Sequence, residues 1–141
     1  MRNLIHKFLN KKTVGVRVLL INNNKILLVR HTYISGWYTI GGGVDEGESP
    51  LQAIARELGE EVHINCDSFE LFGFYYSNKQ RRDDYVALYV AQVNSTEFEI
   101  DNKEIAQANW FSFDDLPSDI SPATKRRIEE YLGRTTKTDL W

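Results

Sequence analysis

The chain has 141 residues, of which 42% are hydrophobic, 12% aromatic and 26% charged, with a formal net charge of -3; one globular domain suits this length, and neither a second full domain nor a disordered chain does. The single cysteine, Cys66, excludes an internal disulfide and a thiolate metal cage, and the weakly acidic balance speaks against a broad basic surface for large nucleic acids. The longest apolar run, residues 85–91, falls far short of the roughly 20 residues that span a bilayer, and residues 1–9 lack an uninterrupted signal-peptide core, so a cytoplasmic protein without membrane attachment is expected.

Leu4, Ile5, Phe8 and Leu9 recur at helical spacing among Arg2, His6, Lys7, Lys11 and Lys12, which predicts a short amphipathic helical extension over residues 1–12. Residues 14–21 and 25–30 are β-branched and aliphatic and flank Asn22-Asn23-Asn24, the pattern of a hairpin. A short strand over residues 37–40 leads into Gly41-Gly42-Gly43. Residues 49–62 form the best-marked helix: Ser49 can cap it, Pro50 suits its first turn, and Gln52 completes a capping box. Strands are expected over 68–77 and 84–93 around a polar loop, another over 109–112, and a last helix over 121–132 with Pro122 at its first position. The main domain then spans 13–133, and residues 134–141 read as a loosely held tail. Strands and helices that do not alternate regularly predict an α/β fold, a mixed sheet with helices packed on it.

At roughly 100° per residue, Leu51, Ile54, Ala55, Leu58 and Val62 of the marked helix fall on one stripe, and Glu57, Glu60 and Glu61 fall on an arc on the other side. The stripe is expected to bury and the acids to face out together. Like charges three and four residues apart cost about 0.2 to 0.5 kcal/mol each, and Glu60 and Glu61 lie near the negative end of the helix dipole. A divalent cation of the Mg²⁺ type, with oxygen ligands and an open, hydrated remainder, would compensate; a solvated acidic face is the alternative. The glycine triplet permits close backbone approach and leaves carbonyls and amides free for a metal or phosphate. It is not a P-loop, because no Gly-Lys-Ser/Thr follows.

Gly42, five residues, Glu48, seven residues, then Arg56-Glu57-Leu58-Gly59-Glu60-Glu61-Val62-His63-Ile64 resembles the box of the Nudix family, G-x5-E-x7-R-E-U-x-E-E-x-G-U with U aliphatic. Inside the box one position departs: His63 stands where glycine is usual. Ahead of it, Ile40 replaces a usual proline. The resemblance continues through Glu104-Ile105, Trp110-Phe111 and Asp115-Leu116-Pro117, and so covers the chain from Val14 onward.

The resemblance implies an α/β/α sandwich that hydrolyses a nucleoside diphosphate linked to another group, by attack of water on phosphorus. It implies that Glu57, Glu60, Glu61 and the Gly41 carbonyl hold Mg²⁺, with Mn²⁺ a possible substitute. Arg56 would orient the carboxylates, Glu48 would pair with Arg56, and Glu57 would act as general base with Glu104 in reserve. Arg30, which corresponds to a phosphate-binding arginine in some relatives, and His31 are candidate substrate contacts. Tyr33, Trp37 and Tyr38 could stack a base or pack at the rim, and Lys79, Gln80, Arg81 and Arg82 could meet a terminal phosphate or form a solvated loop. Arg17, an arginine among aliphatics, receives no role. The expected partner is a small nucleotide, met by a monomer or homodimer, with no large nucleic acid and no membrane. Two alternatives remain: a non-cleaving nucleotide-binding module, disfavoured by the intact box acids, and an RNA decapping hydrolase, disfavoured by the modest charge.

Overall fold

The computed structural model describes residues 12–101 and 103–141. The helix expected at the N-terminus therefore lies outside the described residues, except that Lys12 already belongs to a strand. Strands β1 (Lys12–Asn22) and β2 (Lys25–His31) form the expected hairpin. Asn22 pairs with Lys25 and Ile21 with Ile26, and Asn23 takes the left-handed turn position at φ 54°, a conformation asparagine tolerates better than most residues.

Beyond those two rows the hairpin splays, and the following segment fills the opening. Val29 and Tyr38 exchange backbone hydrogen bonds of 3.0 and 2.9 Å. Strand β3 (Ile40–Gly43) then pairs antiparallel with β1, from Val18↔Ile40 to Gly15↔Gly43. The glycines are thus strand rather than an open turn, and the expected strand over 37–40 is displaced toward them. A Cβ on Gly41 would run into the Val16 carbonyl and the Arg17 side chain, so only a bare backbone fits this close.

Strands β4 (Glu70–Ser77), β5 (Asp83–Gln92) and β6 (Ile105–Ser112) complete a mixed sheet in the order β4-β5-β1-β2-β6, with β3 on β1. Strand β5 runs parallel to β1 over its whole length, and β6 begins at Ile105, earlier than expected, because β2 offers pairing partners that far. Helices α1 (Pro50–Val62) and α2 (Pro122–Tyr131) cover opposite faces. Val16, Val18, Leu20, Leu27 and Val29 pack with Ala53, Ile54, Leu58 and Val62 of α1. The alternate residues Leu19, Ile21, Ile26 and Leu28 pack with Ile128 of α2. This is an α/β/α sandwich, as expected.

Two local expectations need correction. Helix α1 buries Ala53, Ile54, Leu58, Glu61 and Val62, whereas Leu51 is 51% exposed and Ala55 is exposed. The helix sits against β3, whose last three residues are glycines, rotated so that its acidic arc straddles the edge of the contact. Residues 134–141 are docked rather than loose. Tyr76 receives backbone bonds from the tail and returns them, 2.8 Å to the Asp139 carbonyl and 2.9 Å from the Trp141 amide. Buried Arg127 lies over the Tyr75 and Trp141 rings and pairs with Glu130 at 3.1 Å. It also donates to the Leu140 and Trp141 carbonyls. Among the described residues, no helix is long and apolar enough to cross a membrane.

Candidate active site

Helix α1 starts as its local chemistry dictates: the Ser49 hydroxyl accepts from the Gln52 amide and the Gln52 side chain accepts from the Ser49 amide, a complete capping box. That start fixes the phase of the helix and places Arg56 at the centre of a fan of acceptors. Its Nε and Nη2 donate to the two oxygens of Glu48 at 2.7 and 2.9 Å. Its Nη1 donates to Glu57 at 2.9 Å and to Glu60 at 3.3 Å, and Nη2 also reaches the Gly43 carbonyl at 3.0 Å. Loop 43–48 is thereby tied to two of the three box acids. The Arg56 guanidinium, helped by the Asp45 amide, holds the Glu48 carboxyl down at about 2.

The three acids do not share one environment. Glu60 is largely exposed, the Glu57 side chain lies against Gly42, and Glu61 is only 4% exposed. A Cβ at Gly42 would stand 2.5 to 2.8 Å from the Glu57 carboxylate atoms, so this glycine supplies the room the acid occupies. Burial first, and the neighbouring Glu57 second, push the Glu61 carboxyl up to about 8, with Arg17 and the Gly41 amide acting in the opposite sense. Its Oε1 is buried with no hydrogen-bond partner. A cluster of oxygen donors that includes a buried, orphaned carboxylate oxygen fits a hard divalent cation. Among the described residues, no three His, Cys, Asp or Glu side chains form a ready-made metal cage.

Glu57 and Glu61 line a cleft of about 280 Å³ with Gly41, His31 and Glu104. The Glu104 carbonyl accepts from the Thr32 amide at 2.8 Å, which ties the loop before β6 to the end of β2 and brings Glu104 into the cleft. Burial, and next the charge of Arg17, lower the His31 pKa, so its imidazole is neutral near pH 7. The His31 ring lies 5.2 Å from Tyr33 and 5.4 Å from Tyr38, and its Nδ1 is buried and unpartnered. A cleft joining paired acids, glycine backbone and a neutral imidazole can hold a cation and a phosphate side by side.

The family profile for the NUDIX domain matches residues 11–132. The chain belongs to the Nudix hydrolase family. It is 34% identical, over 123 residues, to the NAD-capped RNA hydrolase NudC of Escherichia coli (strain SMS-3-5 / SECEC) and of Salmonella heidelberg (strain SL476). These alignments cover 82% of this chain and 46% of the relatives, so the chain spans less than half their length. Among solved structures, the MutT NUDIX hydrolase from Burkholderia pseudomallei is 25% identical with a TM-score of 0.76, covering 85% of this chain and 98% of its own. The NUDIX domain of Shewanella oneidensis NrtR, complexed with ADP ribose, shares the fold at 22% identity and a TM-score of 0.75, covering 89% of each chain.

Within this Nudix domain not every expected residue reaches the cleft. Arg30 points to the other face, where it pairs with Asp119 and lies 4.9 Å over the Trp37 ring. Trp37 itself is core, 6% exposed. Lys79 and Arg82 border a second cavity of about 990 Å³ rather than the acidic cleft. His63 occupies the box glycine position in the left-handed conformation, φ 56° and ψ 40°, with its Nδ1 2.7 Å from the Glu99 carbonyl. Arg17, to which the sequence assigns no role, lines both cavities; its only sequence signal is a charge interrupting an aliphatic strand.

Proposed function

We propose that the chain hydrolyses a nucleoside diphosphate linked to another group, using Mg²⁺, or Mn²⁺ in its place, held by Glu57, Glu60, Glu61 and the Gly41 carbonyl. The observation that carries this reading is the buried, unpartnered oxygen of Glu61 beside Glu57, an arrangement costly without a cation. Bound there, the ion would neutralise phosphate oxygens and ease deprotonation of the attacking water. Arg56 sets the directions of the Glu57 and Glu60 carboxylates, and Glu48 fixes Arg56 in turn. Glu57 takes the proton of the attacking water, with Glu104 across the same cleft as the other candidate base. His31, neutral, hydrogen-bonds the substrate, while Arg30 is committed to Asp119.

The cleft of about 280 Å³ suits a diphosphate, and the adjoining cavity of about 990 Å³ suits what is attached to it. The NudC relatives favour one particular version, the diphosphate of an NAD-capped RNA end. Purified protein given Mg²⁺ and a panel of ADP-ribose, NAD, a dinucleoside polyphosphate, a nucleoside triphosphate and an NAD-capped RNA, with products separated by chromatography, tests this. Cleavage at a diphosphate in one or more of them is expected; intact substrates throughout would refute the reading.

A further inference from the structure

Arg17 is an arginine in the middle of β1, where its strand neighbours Val16 and Val18 are completely buried. The register places it beside Gly41 of β3 and Leu88 of β5. A Cβ at Gly41 would lie 2.7 Å from Arg17 Cδ and 2.9 Å from its Cα, so the glycine leaves this side chain its path across β3.

Four arginines of the described chain are buried or half-buried: Arg17, Arg30, Arg56 and Arg127. Arg30 holds Asp119, Arg56 holds Glu48 and Glu57, and Arg127 holds Glu130. Arg17 alone among them pairs with no carboxylate. Among the described residues its guanidinium makes one hydrogen bond, from Nη1 to the Thr39 carbonyl at 3.1 Å, although a guanidinium carries five N–H donors. A partly desolvated cation with most of its donors unspent is unfavourable unless an anion completes it. The space that those donors border is open: Arg17 lies on the wall common to the acidic cleft and the larger cavity, beside Tyr38, Gly42 and Gly43. The larger cavity continues past it toward Lys79 and Arg82.

We infer that Arg17 binds a phosphate of the substrate at the junction of the two cavities, through its unspent guanidinium donors. The inference deepens the proposed function and rests on it for the diphosphate character of the substrate. Planar guanidinium donors match the oxygens of one phosphate in pairs, a geometry an ammonium does not reproduce. The competing role is a counter-charge for Glu61, which lines the same cleft; that role would act on the acids and their cation, not on phosphate.

The test is equilibrium binding of the non-hydrolysable α,β-methylene-ADP in the presence of Mg²⁺, and of adenosine, to the wild type, Arg17→Ala and Arg17→Lys. Loss of a charge-assisted hydrogen bond corresponds to about tenfold or more in affinity. The expected result is such a loss of methylene-ADP affinity in Arg17→Ala, a smaller loss in Arg17→Lys, and adenosine affinity unchanged in both. Retained methylene-ADP affinity in either folded variant that matches the wild type, equal losses for adenosine, or absence of methylene-ADP binding by the wild type would overturn the inference. An altered melting response to Mg²⁺ alone, with diphosphate affinity untouched, would assign Arg17 to the acids instead. Phosphate binding through Arg17 in a protein that hydrolyses nothing on the panel would keep this inference and refute the proposed function.

Discussion

Arg56 meets Glu48 edge to edge, Nε to Oε2 at 2.7 Å and Nη2 to Oε1 at 2.9 Å, across eight residues of sequence. The pair joins the loop after β3 to the acidic face of α1, so the direction of Glu57 depends on a residue that does not line the cleft. Glu48→Gln keeps the size of the side chain and removes its charge. Residues that orient ligands in this way typically matter by about 10- to 100-fold in activity or metal affinity, and a loss in that range is expected in steady-state assays, with the fold intact by circular dichroism. The carboxyl of Glu48 is depressed, so its contribution to stability is present above the ordinary carboxylate range and is lost as pH falls toward about 2. Melting curves of wild type and Glu48→Gln should therefore differ at neutral pH and converge in acid.

Glu61 has the opposite sign. Its carboxyl is raised to about 8, so between the ordinary carboxylate value and about 8 the folded state holds a proton that the unfolded state has released. Stability of the metal-free protein should fall as pH rises through that window. Glu61→Gln should abolish turnover, remove this fall, and melt higher than the metal-free wild type near pH 8. Added Mg²⁺ should raise the melting temperature of the wild type and leave Glu61→Gln nearly unmoved. Undiminished turnover in Glu61→Gln would end its assignment as a ligand.

Gly42 and Gly41 separate function from packing. In Gly42→Ala the new methyl meets the far end of the Glu57 side chain, which can swing aside by giving up its bond to Arg56, so activity should drop by about tenfold or more with a small change in melting temperature. In Gly41→Ala it meets the backbone of β1, and β3 must shift. Overpacking of this kind costs about 1 to 3 kcal/mol, measurable by urea denaturation.

His63 carries two opposing effects. Its left-handed conformation costs about 1 to 2 kcal/mol relative to glycine, while its imidazole bond to the Glu99 carbonyl returns about 0.5 to 1.5 kcal/mol, and glycine would add flexibility to the unfolded chain worth about 0.4 to 1 kcal/mol. His63→Gly should therefore change stability by no more than about 1.5 kcal/mol in either direction, with activity unaltered. His63→Ala keeps the strain and loses the bond, and should be the less stable of the two by chemical denaturation.

What was legible in the chain was what local chemistry decides. Asn22 to Asn24 marks the hairpin, and the Ser49–Gln52 box marks the start of α1 and hence the order of Arg56, Glu57, Glu60 and Glu61 around it. Depth was not legible. Helical phase puts Glu61 on the acidic arc, but only the close approach of α1 to the glycines of β3 buries it. The glycines read as open backbone because their pairing with β1 depends on the hairpin splaying, a tertiary event. Arg30 and His31 are adjacent in sequence and fall on opposite faces of β2, so one reaches the cleft and the other pairs with Asp119. The polar tail gave no sign of docking apart from Trp141, whose ring covers Arg127.

Attack of water on a phosphorus atom of a diphosphate at the acidic face of α1 is read out by running the reaction with Mg²⁺ in heavy-oxygen water and following the products by phosphorus NMR and mass spectrometry. The wild type is expected to incorporate one heavy oxygen into a phosphorus-containing product, and Glu61→Gln to form none. Heavy oxygen found only on a carbon centre of the released group, or equal label incorporation by Glu61→Gln, would contradict it.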